Sequence, residues 1–119
     1  MSDIYIVEKI QIKKESEKET YSINCVPRLD TGELVASVAV TEVATTDLTI
    51  SNVAVSTEAL DIEDEEGNDV EVPIGQAIQY HINNTGTAET MYKLKVVITT
   101  NSTPAREFIN YVKLKVITD

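Results

Sequence analysis

Residues Thr87–Val116 read TAETMYKLKVVITTNSTPAREFINYVKLKV. In the first half Tyr92, Leu94, Val96 and Ile98 fall on every second residue, with Lys93, Lys95 and Thr99 between them. In the second half Phe108, Val112, Leu114 and Val116 share one parity, and Lys113 and Lys115 take the other. A period of two over this length marks strands that bury one face and wet the other. The connection Thr99–Pro104 is rich in turn formers, and its proline cannot donate to a ladder. The stretch is therefore a β-hairpin. Its eight apolar residues of common parity are expected in the core, and its lysines on an open sheet face.

Working outward, the same period recurs. Ile78, Tyr80 and Ile82 alternate and end at the turn-forming Asn83-Asn84-Thr85-Gly86. Leu48 and Ile50 have the opposite parity to Val53 and Val55, so a β-bulge is expected at Ser51-Asn52. Leu34, Ala36, Val38 and Val40 read as one strand face after the turn Asp30–Glu33, and Tyr21, Ile23 and Cys25 as another before Pro27. Ile4, Ile6, Ile10 and Ile12 also share a parity, and the charged run Lys13–Glu19 behind them reads as a linker or turn. Turn signals recur about every 8 to 14 residues, and no segment carries a helical apolar repeat. The fold class is all-β: an immunoglobulin-like antiparallel β-sandwich of about seven strands, with residues 1–18 as an N-terminal arm or first strand and 19–119 as the sandwich.

Composition narrows the function. A chain of 119 residues holds one two-layer core. No stretch has the apolar length of a membrane span, and no basic-then-apolar leader opens the chain. The single cysteine, Cys25, excludes an internal disulfide and suits a reducing compartment. It reads as a small core residue. The formal net charge is -10, and it is unevenly spread. From Leu29 to Tyr92 there are 13 Asp or Glu and no Lys or Arg. Such a middle repels phosphate backbones and anionic lipid, so neither nucleic acid nor a membrane is expected as a partner. It keeps the chain soluble, or it meets the basic face of a neighbouring subunit.

Most catalytic constellations cannot be assembled; a carboxylate pair is left open, but so acidic a chain supplies one by chance, and an enzyme is not expected. His81 is the only histidine, and its parity points it away from the Ile78–Ile82 core face. There is no nucleophile motif and no glycine-rich phosphate loop. The acidic run Glu58–Glu71 has oxygens enough for Ca²⁺ but fails the EF-hand register. With Gly67 at the sixth position, Ile62 takes the first ligand place and Pro73 the twelfth. It reads as a solvated excursion between strands, so neither metal nor cofactor is expected. Two glycosylation sequons, at Asn83 and Asn101, read as chance matches, since no leader is expected. What remains is a surface. Lys93, Lys95, Lys113 and Lys115 make a basic stripe, Ile109 and Tyr111 are apolar residues of outward parity, and the isoleucines of the arm (Ile4, Ile6, Ile10 and Ile12) form a further apolar face. These are the candidate partner-interface residues.

Gly86, Thr87, Ala88, Tyr92, Thr99, Thr100, Arg106 and Glu107 together resemble the closing segment of small immunoglobulin-like structural proteins of tailed-phage virions. That pattern has a Gly-Thr-Ala-Gly turn, a tyrosine opening one strand, Thr-Thr before the next turn and an arginine–acid pair opening the last strand. Glu89 stands where the pattern has its second glycine, and Thr103-Pro104 where it has Gly-Arg. The resemblance covers the last third of the chain. It implies a non-enzymatic virion protein made in the host bacterial cytoplasm and present in multiple copies in a symmetric assembly. Its partners would be tail, fibre or capsid subunits. The place implied first is an adaptor between tail and fibre; the alternative is a head decoration (cement) protein. A free-standing host- or carbohydrate-binding sandwich is the competing class, and the absence of Trp counts against it.

Overall fold

A computed structural model describes residues 10–64 and 66–119. Among these residues nine strands follow one another: β1 (Gln11–Lys14), β2 (Glu19–Asn24), β3 (Val35–Glu42), β4 (Ile50–Val55), β5 (Leu60–Glu63), β6 (Asp69–Val72), β7 (Ala77–Ile82), β8 (Thr90–Thr100) and β9 (Glu107–Ile117). A 3₁₀ turn, Val26–Arg28, is the one helical piece among the described residues. Seven strands form two sheets, in the orders β1-β9-β8-β3 and β2-β7-β4, and β5 and β6 pair as a separate hairpin. The chain is an all-β sandwich. Every pairing is antiparallel except β1 with β9.

The β8–β9 hairpin dominates because its two eleven-residue strands alternate without a break. Tyr92, Leu94, Val96, Ile98, Val112, Leu114 and Val116 are at most 1% exposed, and Phe108 6%. From the facing sheet Ile23, Ile78, Tyr80 and Ile82 close the core, and Cys25 lies within it. One edge of this core is pinned by a tyrosine. The Tyr92 hydroxyl accepts the Thr87 N–H at 2.7 Å and donates to Asp47 Oδ2 at 2.8 Å. A strand-opening tyrosine bonded to backbone a few residues upstream is a recurrent corner of immunoglobulin-like sandwiches. Gly86 is required beside it. Its φ is +103°, and a Cβ there would lie 2.9 Å from Val116 Cγ2 and 3.0 Å from Leu48 Cδ2.

Three departures from the alternation are instructive. In β4 the register shifts between Ser51 and Ala54, with Asn52 at φ +51°, so the expected bulge lies at the expected place. A second bulge interrupts β3 between Val35 and Ser37. It overturns the single face expected for that strand. Val35 is buried, Val38 and Val40 pack on the core, and Leu34 and Ala36 are exposed. The third concerns the acidic run, which is a hairpin and not an unpaired excursion. Leu60 and Ile62 pair with Val72 and Val70, so β5–β6 has an apolar face, and Val72 is fully buried. Asp64 Oδ1 accepts the N–H groups of Glu66 and Asn68, each at 2.9 Å, and Gly67 supplies positive φ for the turn.

The charged run Lys13–Glu19 is also shorter as a turn than expected. Lys13 and Lys14 belong to β1 and Glu19 to β2, leaving residues 15–18 to cross from one sheet to the other. Within β1 the polar residues face inward. Gln11 pairs with buried Leu114, and its amide oxygen accepts from the Tyr80 hydroxyl. Lys13 pairs with Val116, and its buried ammonium donates to the Lys14 and Glu15 carbonyls at 2.9 and 3.2 Å. Polar tips are tolerated there because each reaches a partner at the margin of the core.

Candidate docking face on the four-stranded sheet

Since Gln11 and Lys13 point in, Ile10 and Ile12 point out. They are 50% and 60% exposed, and Ile12 lies beside Lys115 across the β1–β9 ladder. Ile4 and Ile6 lie outside the described residues. The described part of the arm, Gln11–Lys14, pairs along the edge of its own sheet. Its isoleucines extend a surface already carried by β8 and β9.

That surface is built by parity. On β9 Ile109, Tyr111, Lys113 and Lys115 alternate with buried residues; on β8 Met91, Lys93 and Lys95 do the same. Antiparallel pairing sets Lys93 directly against Lys113, Lys95 against Tyr111 and Met91 against Lys115. Lys14, beside Ile117, adds a fifth ammonium. Five of the chain's ten Lys and Arg residues thus stand on one sheet face. Lys93 Nζ sits 4.4 Å over the Tyr111 ring, a cation–π contact that partly offsets its proximity to Lys113. Among the described residues the ion pairs all involve Arg106, so none of these lysines has one. Glu107 shares the outward parity on β9, and Glu89 has its carboxyl held below the usual range, in smaller part by Lys115. The main cause of that depression is hydrogen bonding from Thr118.

All the candidate residues on β8 and β9 fall on this one face. Ile109, Tyr111, Lys93 and Lys113 are exposed, while Lys95 and Lys115 are half-buried by their neighbours. Met91, 48% exposed, and Lys14 belong to the same surface and were readable from the same alternation: Met91 has the parity of Lys93, and Lys14 that of Ile12.

A second cluster lies at the turn between β8 and β9. The Glu33 side chain is 3% exposed and is gripped by Arg106, whose Nε lies 3.1 Å from Oε2 and whose Nη2 bonds Oε1. The Ser102 hydroxyl donates to Oε2 at 2.7 Å and the Asp30 N–H to Oε1 at 2.9 Å. Arg106 also donates to the Arg28 carbonyl at 2.7 Å. The Arg106 guanidinium, followed by the Asp30, Ser102 and Thr100 donors, holds the Glu33 carboxyl far below the usual carboxylate range against the opposing effect of burial. This is a structural clasp between the β2–β3 connection and the last hairpin. The acid that answers Arg106 is Glu33, since the adjacent Glu107 is exposed. Sequence separation hid that pairing.

His81 is half-buried on the outer side of the three-stranded sheet, its Nδ1 3.0 Å from Thr20 Oγ1. No group of three His, Cys, Asp or Glu among the described residues could hold a metal ion. No helix among them is long and apolar enough to cross a membrane. The geometry therefore defines a class: a β-sandwich with one basic and apolar sheet face. Comparison with protein-family models, with curated proteins and with solved structures returns no match.

Proposed function

We propose that the chain is a non-enzymatic virion protein of a tailed phage, an adaptor that joins tail and fibre subunits through the outer face of its four-stranded sheet. The observation that carries the docking role is the concentration there of Lys14, Lys93, Lys95, Lys113 and Lys115, without an ion pair among the described residues, around exposed Ile12, Ile109 and Tyr111. In a chain of net charge -10, gathering half of all Lys and Arg on one sheet face is what a protein partner would use. The placement in a virion is supported by the resemblance of the closing segment. Several of its matching residues have fold-building roles here: Gly86 gives the close approach, Tyr92 the corner and Arg106 the clasp.

Mass spectrometry of purified particles tests this reading. The chain is expected in many copies per particle, and the Lys93→Glu/Lys113→Glu variant is expected to fold yet be missing from particles. A chain absent from wild-type particles would overturn the virion placement. Undiminished incorporation of the variant would overturn the docking face.

A further inference from the structure

The docking face has a counterpart on the same molecule. In the β5–β6 hairpin the apolar residues Leu60, Ile62, Val70 and Val72 share one face, so the other carries Asp61 against Glu71 and Glu63 against Asp69. Asp61 and Glu71 are exposed and make no ion pair among the described residues. Like charges directly opposite across a ladder are destabilising, and the chain tolerates this on both surfaces: Asp61 faces Glu71, and Lys93 faces Lys113. Each arrangement is unfavourable alone and is relieved by the other.

The spacings agree as well. Both surfaces are two-stranded antiparallel ladders, in which opposed residues sit about 4.5 to 5.5 Å apart and the next residue of the same face lies about 7 Å along the strand. Asp61, Glu71 and Asp69 can therefore lie over the Lys93–Lys113 rung and a neighbouring rung holding Lys95 or Lys115, with Tyr111 or Met91 beneath them. The hairpin adjoins β2 of the three-stranded sheet, while the lysines cover the outside of the four-stranded one. The two belong to different sheets.

We infer that copies of this chain associate head to tail, the acidic face of the β5–β6 hairpin of one docking on the lysine face of β8–β9 in the next. This rests on the docking role of that face and names its occupant as a second copy. The contact joins two different surfaces, so it is heterologous and either closes a ring or extends a chain.

Charge reversal on each surface tests it, using the whole chain at high concentration in about 0.1 M salt, where the Debye length is about 10 Å. Sedimentation measures association, and amide NMR shifts with concentration locate it. Wild type should associate, with shifts at Lys93, Lys113, Asp61 and Glu71. Lys93→Glu/Lys113→Glu alone and Asp61→Lys/Glu71→Lys alone should each weaken association by at least about tenfold. An equimolar mixture of the two should recover it, because each then offers the surface that the other needs. Unfolding midpoints confirm that both variants are folded; should either not be, Lys93→Gln/Lys113→Gln and Asp61→Asn/Glu71→Gln replace them with the same weakening expected. A monomeric wild type, association indifferent to either pair, or no recovery in the reversed mixture would overturn the inference. Particle incorporation is a separate readout. A wild type that is monomeric yet present in particles leaves the adaptor reading standing with another occupant on the face.

Discussion

The clasp at Glu33 allows a worked prediction. Arg106→Ala removes two hydrogen bonds to the carboxylate and one to the Arg28 carbonyl, and leaves those from the Asp30 N–H and Ser102 hydroxyl. Breaking a fully interior ion pair costs about 3 to 5 kcal/mol, because the surviving charge is left uncompensated. Here 42% of the Arg106 side chain is solvent-exposed, so water replaces part of what is lost. The expected cost is about 2 to 3 kcal/mol at pH 7, which for a domain of this size lowers the melting temperature by about 10 °C. The sign of the pH dependence follows from the depressed Glu33 carboxyl. A group whose folded pKa lies below its unfolded value of about 4.3 stabilises the fold above that value and loses the contribution as pH falls toward the folded pKa. Wild type should therefore lose stability in acid faster than Arg106→Ala, and the gap between them should narrow below about pH 4. Urea unfolding of both proteins at neutral and acid pH measures it. A cost under about 0.5 kcal/mol, typical of an exposed pair, or a gap that does not narrow in acid, would refute the reasoning.

Other outcomes follow from the core and its corner. Val96→Ala and Leu114→Ala, each at a fully buried position, should cost about 2 to 4 kcal/mol in urea unfolding through lost transfer energy and a cavity. Tyr92→Phe removes the acceptor of Thr87 and the donor to Asp47 and should cost about 1 to 2 kcal/mol, with the near-UV spectrum of the core otherwise kept. Glu89 sits at φ +60° and secures the Thr118 N–H and hydroxyl. Glu89→Gly relieves the backbone as it loses those bonds, so its melting temperature should exceed that of Glu89→Ala, which only loses.

How much of this was legible in the sequence depended on where the period of two was undisturbed. In β8 and β9 one residue faces in and the next out for eleven positions, so parity alone identified the core and the lysine face. The parity switch at Ser51-Asn52 was readable because apolar residues flank it on both sides. The bulge at Val35–Ser37 was not, since Ala36 suits either face and Leu34 outweighed Val35 in the pattern. The arm was legible in a different degree. Isoleucines at every second place show that they share a face but not which way it points, and the pairing of Gln11 with Leu114 turned Ile10 and Ile12 to solvent. The Glu89 departure is the converse case. The resemblance marks a glycine position, and φ there is positive, so the backbone kept the conformation that the side chain disfavours.

Charge segregation makes one last demand that distinguishes a specific contact from general stickiness. Two copies of net charge -10, with centres about 30 Å apart as the 43 × 30 × 28 Å dimensions allow, repel by about 14 kcal/mol in unscreened water. At about 0.01 M salt the Debye length is about 30 Å and roughly 5 kcal/mol of that survives; at about 0.1 M it is about 10 Å and under about 1 kcal/mol remains. The acid–lysine contacts between hairpin and face act over a few ångströms and contribute about 0.2 to 1 kcal/mol each. Three of them, from Asp61, Asp69 and Glu71, lose to the repulsion at the lowest salt and exceed it at the intermediate value. Near 1 M, where the Debye length is about 3 Å, the contacts themselves are screened. Association should therefore pass through a maximum near 0.1 M salt, and the Asp61→Lys/Glu71→Lys variant should show no such maximum. Sedimentation across the three salt concentrations measures this. Association that rises steadily down to the lowest salt would mean that the long-range field attracts, which a chain of this net charge cannot do to its own copies without a different surface in play.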